Sequence, residues 1–410
     1  MQEYKQTEFG PIPSDWILCT FQDVLATFSS GATPYRGIPE YYKGNVRWIS
    51  SGELNYNKIF DTIEHISQQA VRNTNLRVHQ PGTFLMAITG LEAEGTRGRC
   101  AFVGAPATTN QSCLAINGTE RMCTEYLFWF YRMWGQYLAF KYCQGTKQQS
   151  YTANIVRNLP IYGPKDISEQ QTIAEALNDI DGLIAVLDKK IAKKRLIKQG
   201  VMQQLLTGKK RLPGFTDDWI EIRLGDYTTM NSGGTPSSSS EYYNGDIPFL
   251  SISDITTSGK HIKKTEKTIT KKGLQNSSAR MFPQGTIMFA MYASLGKTSI
   301  ADIELSCSQA ILGITPNDKI DSNYLYYYLS FVENSVKEMG QTGTQTNLSK
   351  QIVQDFLLYI PNQSNEQQAI ATILTDMDKE IADLEAKRDK YQLLKSGMMQ
   401  KLLTGQIRLI

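Results

Sequence analysis

The chain has only three histidines, and its six cysteines form no Cys-x-x-Cys pair. Free thiols in a reducing compartment are expected, and a zinc site is poorly supported. No run of residues suits a bilayer: the most apolar one, Tyr126 to Phe140, is interrupted by Arg132 and Gln136. The start, Met1-Gln2-Glu3-Tyr4-Lys5, has no signal-peptide core, so a soluble cytoplasmic protein is expected. Charge of either sign is nearly balanced, with 43 Lys and Arg against 40 Asp and Glu. That small excess neither names nor excludes an acidic partner.

Catalytic signatures are missing as well. Gly296-Lys297-Thr298 looks like the end of a phosphate-binding loop, but Met291 stands where that loop needs its first glycine. No glycine-rich fingerprint follows a strand. No Asn/Asp-Pro-Pro-aromatic run of the amino-methyltransferase kind is present, and Asn158-Leu159-Pro160-Ile161 does not replace it. Acidic-x-Lys triplets such as Glu385-Ala386-Lys387 sit in a charged helical pattern, where they read as a solvated face.

What the sequence does have, it has twice. Glu169-Gln170-Gln171 to Thr207-Gly208 returns as Glu366-Gln367-Gln368 to Thr404-Gly405, at a constant offset of 197. Such a repeat governs every other reading of the fold. None of His65, His79 and His261 has a counterpart in the other copy, so a duplicated histidine-based catalytic site is excluded. With 410 residues, two to four domains are expected.

Each copy has a mixed, strand-rich front and a helical tail. The fronts open at Asp15-Trp16-Ile17 and Asp218-Trp219-Ile220. They continue through Ser30-Gly31-Ala32-Thr33-Pro34 and Ser232-Gly233-Gly234-Thr235-Pro236, then Glu40-Tyr41-Tyr42 and Glu241-Tyr242-Tyr243. Short apolar runs between this punctuation predict strands at 47–50, 83–88, 247–251 and 286–291. The aromatic runs Tyr126 to Tyr131 and Tyr324 to Leu329 predict packed core, because consecutive aromatics cannot all face one ligand.

In the tails, Ile173, Leu177, Ile180, Ile184 and Leu187 step by four and three, as do Ile370, Leu374, Met377, Ile381 and Leu384. That rhythm is a coiled-coil seam. It predicts that the seam shifts register after Ile191 and Arg388 and resumes at Ile197, Val201 and Leu205, and at Leu394, Met398 and Leu402. Gly200 and Gly397, at matched positions, predict a close helix crossing or a bend. Such a helix, roughly 57 Å long at about 1.5 Å per residue, needs a partner, and the other copy is already tethered. Antiparallel pairing is expected. Gly405 to Leu409 also matches Gly208 to Leu212, which predicts that the chain ends lie close together.

If the fronts read nucleic acid, Arg, Lys, Asn and Gln on loops are the side chains to do it. One matched loop runs from Ala87 to Arg97-Gly98-Arg99 in the first copy and from Met291-Tyr292 to Lys297 in the second. The offset falls from 203 (Gly82 to Gly285) to 198 (Gly98 to Gly296), so the first copy carries five residues more there. The other matched loop holds Lys147, Gln148 and Gln149, or Gln345 and Asn347. The candidate DNA contacts are Arg36, Arg97, Arg99, Lys147, Gln148, Gln149, Tyr292, Lys297, Lys263, Lys264, Gln345 and Asn347. Lys260, Lys267, Lys271 and Lys272 add phosphate-binding capacity in the second front; Lys193, Lys194, Arg195 and Lys198 in the first tail offer the same or simply solvate the helix. No catalytic residue and no metal ligand is assigned.

The repeated Trp, Gly-x-Thr-Pro and Glu-Tyr-Tyr elements, with tails from Glu-Gln-Gln to Leu-Leu-Thr-Gly, resemble the DNA-specificity subunits of type I restriction-modification systems over nearly the whole chain. The resemblance implies an α+β protein with a pseudo-two-fold internal repeat. Two mixed, strand-rich target-recognition domains, residues 1–164 and 212–362, are separated by two long antiparallel coiled-coil helices, residues 165–211 and 363–410. It implies a non-catalytic subunit that reads a bipartite, asymmetric site in double-stranded DNA. Its implied partners are two methyltransferase subunits and two motor-nuclease subunits, which hold the S-adenosylmethionine, ATP and Mg that this chain lacks; no membrane is involved. The competing readings are a methyltransferase or nuclease with diverged motifs, and a coiled-coil adaptor with no DNA role.

Overall fold

The computed structural model describes residues 3–92, 95–145, 149–342 and 347–409, with the side chains of 339–342 left aside. The chain divides into two compact units, residues 1–188 with 387–410, and residues 189–386. Among the described residues no helix is long and apolar enough to cross a membrane.

In the first unit, the apolar runs become a five-stranded sheet in the order Ala26–Ser30, Cys113–Asn117, Phe84–Ala87, Cys100–Val103, Lys58–Ile59. The first four strands pair antiparallel, and the short edge strand is parallel. The second unit repeats it as Thr228–Ser232, Ile311–Pro316, Ile287–Ala290, Thr298–Ala301, His261–Ile262. Phe84–Ala87, Cys100–Val103, Ile287–Ala290 and Thr298–Ala301 are buried throughout, which is why the first three read as unbroken apolar runs rather than alternating ones. A smaller sheet accompanies each: Ala107–Thr109, Val46–Ile49, Glu64–Ile66 in the first unit, and Lys267–Ile269, Tyr243–Leu250, Leu305–Cys307, Met281–Phe282 in the second.

The aromatic runs lie in helices Thr124–Tyr142 and Ser322–Phe331. Tyr126 to Tyr131 are all buried, so that stretch of the helix is enclosed on every side rather than amphipathic. The fronts' repeated motifs are turn fasteners. The Tyr42 hydroxyl donates to the Pro34 carbonyl (2.5 Å), and Tyr243 does the same to Pro236 (2.9 Å). Thr33 bonds Gln111, and Thr235 bonds Gln309. A Cβ on Gly31 would stand 1.8 Å from the Thr109 carbonyl oxygen, and one on Gly233 would stand 2.3 Å from that of Cys307. Only glycine lets these strands approach so closely.

The tails form helices Ile167–Leu205 and Ser364–Leu402, here called rods. Both end in a glycine at φ +70°, Gly208 and Gly405, the left-handed stop. Within the first unit, Asp181 accepts from Lys395 and Asp188 pairs with Arg388, so the second rod descends as the first ascends. Within the second unit, Lys194 meets Glu380 and Lys198 meets Asp378 in the same sense. The pairing is antiparallel. Of the seam, Ile173, Leu177, Ile180, Ile184, Leu187, Ile370, Leu374 and Ile381 are buried, and Met377 and Leu384 are half-buried.

Two expectations about the rods are met only in part. Ile197 and Leu394 are 43% and 49% exposed, so the seam does not resume there, but Val201 and Met398 are half-buried and Leu205 and Leu402 are buried, as the spacing predicts. In the second unit the ion pairs of Lys194 and Lys198 hold the stretch before Leu205 and Leu206 rejoin the core. No close crossing occurs at Gly200 or Gly397, since a Cβ at either would meet nothing within 4 Å.

The thiols of Cys100, Cys113, Cys123 and Cys307 are buried, those of Cys19 and Cys143 half-buried, and all six are free. His65 pairs with Asp61 and His261 with Asp302. His79 is different. It is 3% exposed, its backbone pairs with Ala107, and burial, with a smaller contribution from Arg77, pushes its imidazole down to about 4. The unfolded imidazole titrates near 6.5 and the folded one near 4. The stabilising effect of holding it neutral is therefore complete above pH 6.5 and is lost as pH falls toward 4. His79→Gln is expected to remove about 2–3 kcal/mol of acid sensitivity between pH 7 and 4, measured by urea unfolding of parent and variant at each pH.

Candidate nucleic-acid interface

In the first unit the two suspected loops meet. The Tyr151 amide donates to the Ile88 carbonyl and the Leu91 amide to that of Gln149. Thr89 and Ser150 form a bridge. Arg97 joins the loops: its Nη2 donates to Gln149 Oε1 (3.1 Å) and to the Glu92 carbonyl (3.2 Å), and its guanidinium lies 5.7 Å from the ring of Phe140. Arg99 donates to the Gly95 carbonyl (2.7 Å). In the second unit, Leu348 donates to the Met291 carbonyl, which joins the stretch holding Tyr292 and Lys297 to Asn347. Two loops distant in sequence thus form one surface in each unit.

Gly98 seats the first loop. It has φ +73°, and its Cβ would stand 2.6 Å from the backbone nitrogen of Gln136 on the aromatic helix. Gly296, at φ +77°, seats the second loop against Glu333 and Val336. The five extra residues lie wholly between these fixed points: the first loop spans 88–99 between strands and the second spans 291–297. The flanks are held alike while the exposed contents differ.

Arg36 is elsewhere. It pairs in bidentate fashion with Glu64 (2.7 and 3.1 Å) and stacks over Tyr42 (4.2 Å) and Trp48 (5.3 Å) on the smaller sheet. Lys263 and Lys264 follow strand His261–Ile262 and are exposed. The rest of the second front's lysine cluster does not share one surface: Lys260 turns inward, 4.4 Å from the Tyr327 ring centroid and bonded to that hydroxyl, and Lys272 pairs with Glu241. Burial lowers the pKa of Lys260. On the first rod, Lys194, Arg195 and Lys198 pair with acids of the second rod. Lys147, Gln148 and Gln345 lie outside the described residues.

The sequence reading missed what Glu-Gln does. Gln170 accepts from the Cys123 amide and donates to the Arg121 and Pro164 carbonyls. Gln367 repeats this with the Asp321 amide and the Lys319 and Pro361 carbonyls. Beside them, Glu169 holds Arg408, which also grips Asp15 and lies 5.7 Å from the Trp16 ring. Glu366 holds Arg211, which lies 5.7 Å from Trp219. Glu169 and Glu366 are 5% and 2% exposed. Each rod is thereby locked to its front, and the chain end closes on the first unit, with the Tyr4 hydroxyl 3.5 Å from the Gly405 carbonyl oxygen.

A doubled front with paired loops on a locked antiparallel rod has known relatives. The family model described as type I restriction modification DNA specificity domain matches twice, over residues 13–194 and 216–393. The type I restriction enzyme MjaX specificity subunit of Methanocaldococcus jannaschii is 26% identical over 432 aligned positions, covering 99% of this chain and 97% of that protein. The MjaVIII specificity subunit of the same organism is 23% identical, covering 100% and 98%. The crystal structure of the S subunit of a type I restriction-modification system from M. genitalium shares the fold at a TM-score of 0.64 and 14% identity, covering 98% of each chain. The chain belongs to the type I restriction-modification DNA specificity family.

Proposed function

We propose that this chain is the non-catalytic specificity subunit that reads a bipartite, asymmetric site in double-stranded DNA. Each front takes one half-site through its paired loops, with Arg97, Arg99 and Gln149 in the first and Tyr292, Lys297 and Asn347 in the second. Lys147, Gln148 and Gln345, outside the described residues, are proposed as DNA contacts on their chemistry and sequence position alone. Arg36, Lys263 and Lys264 serve as flanking phosphate contacts. The observation that carries the reading is the pair of loop surfaces, each seated by a left-handed glycine against a helix (Gly98 and Gly296) but differing by five residues in content. Two readers with separate targets need that combination.

Two methyltransferase subunits and two motor-nuclease subunits are the proposed partners, and S-adenosylmethionine, ATP and Mg belong with them. The rods offer docking surface: Leu183, Val186 and Leu393 are exposed in the first unit and Leu196 in the second. Exposed apolar side chains of this size on a helix mark contact with another protein when they cluster.

A salt titration tests the reading. DNA affinity of the chain, co-expressed with its methyltransferase subunit, should fall steeply and linearly in log–log form as phosphate contacts release counterions. S-adenosylmethionine should bind only when that subunit is present. Tight binding of the methyl donor by this chain alone would favour a diverged methyltransferase, and salt-insensitive or absent DNA binding would favour the adaptor.

A further inference from the structure

The repeat is broken at one place. The first front begins with a hairpin, Tyr4–Thr7 and Gly10–Pro13, that the second front lacks. At its tip, Phe9 is 8% exposed and packs among four rings: Phe130 (5.7 Å), Trp134 (5.1 Å), Tyr137 (5.8 Å) and Tyr162 (5.1 Å). Glu8 beside it accepts from Lys141 (2.6 Å) and Tyr142 (2.8 Å). The hairpin is a plug with an aromatic point.

In the second front the repeat-equivalent positions are Tyr328, Val332 and Ser335 at an offset of 198, and Tyr359 at 197. The side chains matching Trp134 and Tyr137 are smaller, and a cavity of about 320 Å3 opens between the helix and the strand Leu357–Pro361. Tyr328, Leu329, Val332, Val336, Phe356 and Leu357 line it. No residue of the run 209–218, which leads into this front, is among its lining. The consequence is visible at the strand: Tyr162 is fully buried under the hairpin, whereas Tyr359 is 50% exposed and Leu357 is 64% exposed. A cavity of this volume, mostly apolar, is within the range of sites that hold a side chain or small ligand.

We propose that this groove is a docking site for an aromatic side chain carried on a tight turn of a partner protein, seated as Phe9 is seated in the first unit. The occupant is specified by the molecule's own filled copy of the site. An aromatic ring supplies the missing ring contacts and covers Leu357 on the rim. Because the first copy is already plugged, the contact occurs once per chain. It goes beyond DNA reading, and neither Leu357 nor Ser335 belongs to the loop surfaces assigned to DNA.

A cyclised peptide of Tyr4 to Pro13, with fluorine on the Phe9 ring, serves as the probe and is titrated into the full chain while its fluorine resonance is followed. Saturable single-site binding is expected. Leu357→Asp places a charge on the exposed rim, and Ser335→Tyr fills the groove with the residue type that the first copy uses. Each should weaken binding at least about tenfold, or about 1.4 kcal/mol, with unchanged unfolding temperature and unchanged DNA affinity. Within the assembled complex, a photocrosslinking amino acid at Leu357 should join a partner at a turn that carries an aromatic. Absent or non-saturable binding, binding by both variants as tight as by the parent chain, or a crosslink to a second copy of this chain would overturn the proposal. Loss of DNA affinity in the parent chain would instead count against the specificity reading and leave the groove result standing.

Discussion

Replacing Arg408 with alanine is expected to destabilise the first unit by about 3 kcal/mol, the low end for breaking a buried ion pair. The cost comes from the group left behind. Glu169 is 5% exposed, and its carboxylate oxygens accept from Arg408 Nε and Nη2. Without the guanidinium, a charge stays buried beside Trp16. Arg408 keeps 19% of its side-chain surface, which places the effect at the low end of the range. The same residue holds Asp15, so its loss also frees the start of the first front. Arg211→Ala should act in the same way through Glu366 in the second unit. Denaturant unfolding measures both. The double variant Glu169→Leu with Arg408→Met should recover most of the loss, because removing both charges leaves nothing buried and unpaired. A loss below about 1 kcal/mol for Arg408→Ala would mean that the clasp is an ordinary surface pair.

The second large effect concerns reading. Arg97→Ala is expected to weaken DNA binding by about 1–3 kcal/mol if the guanidinium meets a base edge, and to relax preference at one position of one half-site. If it meets a phosphate instead, affinity falls uniformly across sequences and the salt slope drops by about one. Either outcome is confined to the half-site of the first front. Methylation mapping of the host's adenines gives the target, and titration at several salt concentrations gives the slope. Arg97 also ties Gln149 to Glu92, so Arg97→Lys is the control: it retains the charge and loses the fork. Unchanged affinity and unchanged preference in Arg97→Ala would remove this loop pair from the interface.

Much of the architecture was legible because it is written in periodicities. The offset of 197 announced two units, the four–three spacing announced the rods, and short apolar runs placed three of the four strands to within a residue, while Tyr243–Leu250 begins four residues before the run that marked it. The aromatic runs were correctly read as core for a geometric reason: six consecutive large side chains, five of them rings, can be buried together only inside a packed shell. What escaped notice has no periodic trace. Gln170 and Gln367 bond loop backbone up to 49 residues away, and a single amide in a polar helix start gives no sign of that reach. Ile197 and Leu394 looked like seam because they are apolar at helical spacing, but spacing does not register that lysines one turn away find acids on the opposite rod. Gly200 and Gly397 carried the opposite error, since small size permits a close crossing without requiring one. In the site, chemistry and loop position brought Arg97 and Gln149 together; they could not foretell that Arg36 stacks on the smaller sheet or that Lys260 turns inward.

A molecule made of two like halves can in principle be gripped by others in either of two directions. The ten-residue strand pair at its beginning cancels that equivalence, because it stoppers one half and leaves the other unstoppered. Anything that recognises the vacancy can therefore tell head from tail without consulting the DNA sequence.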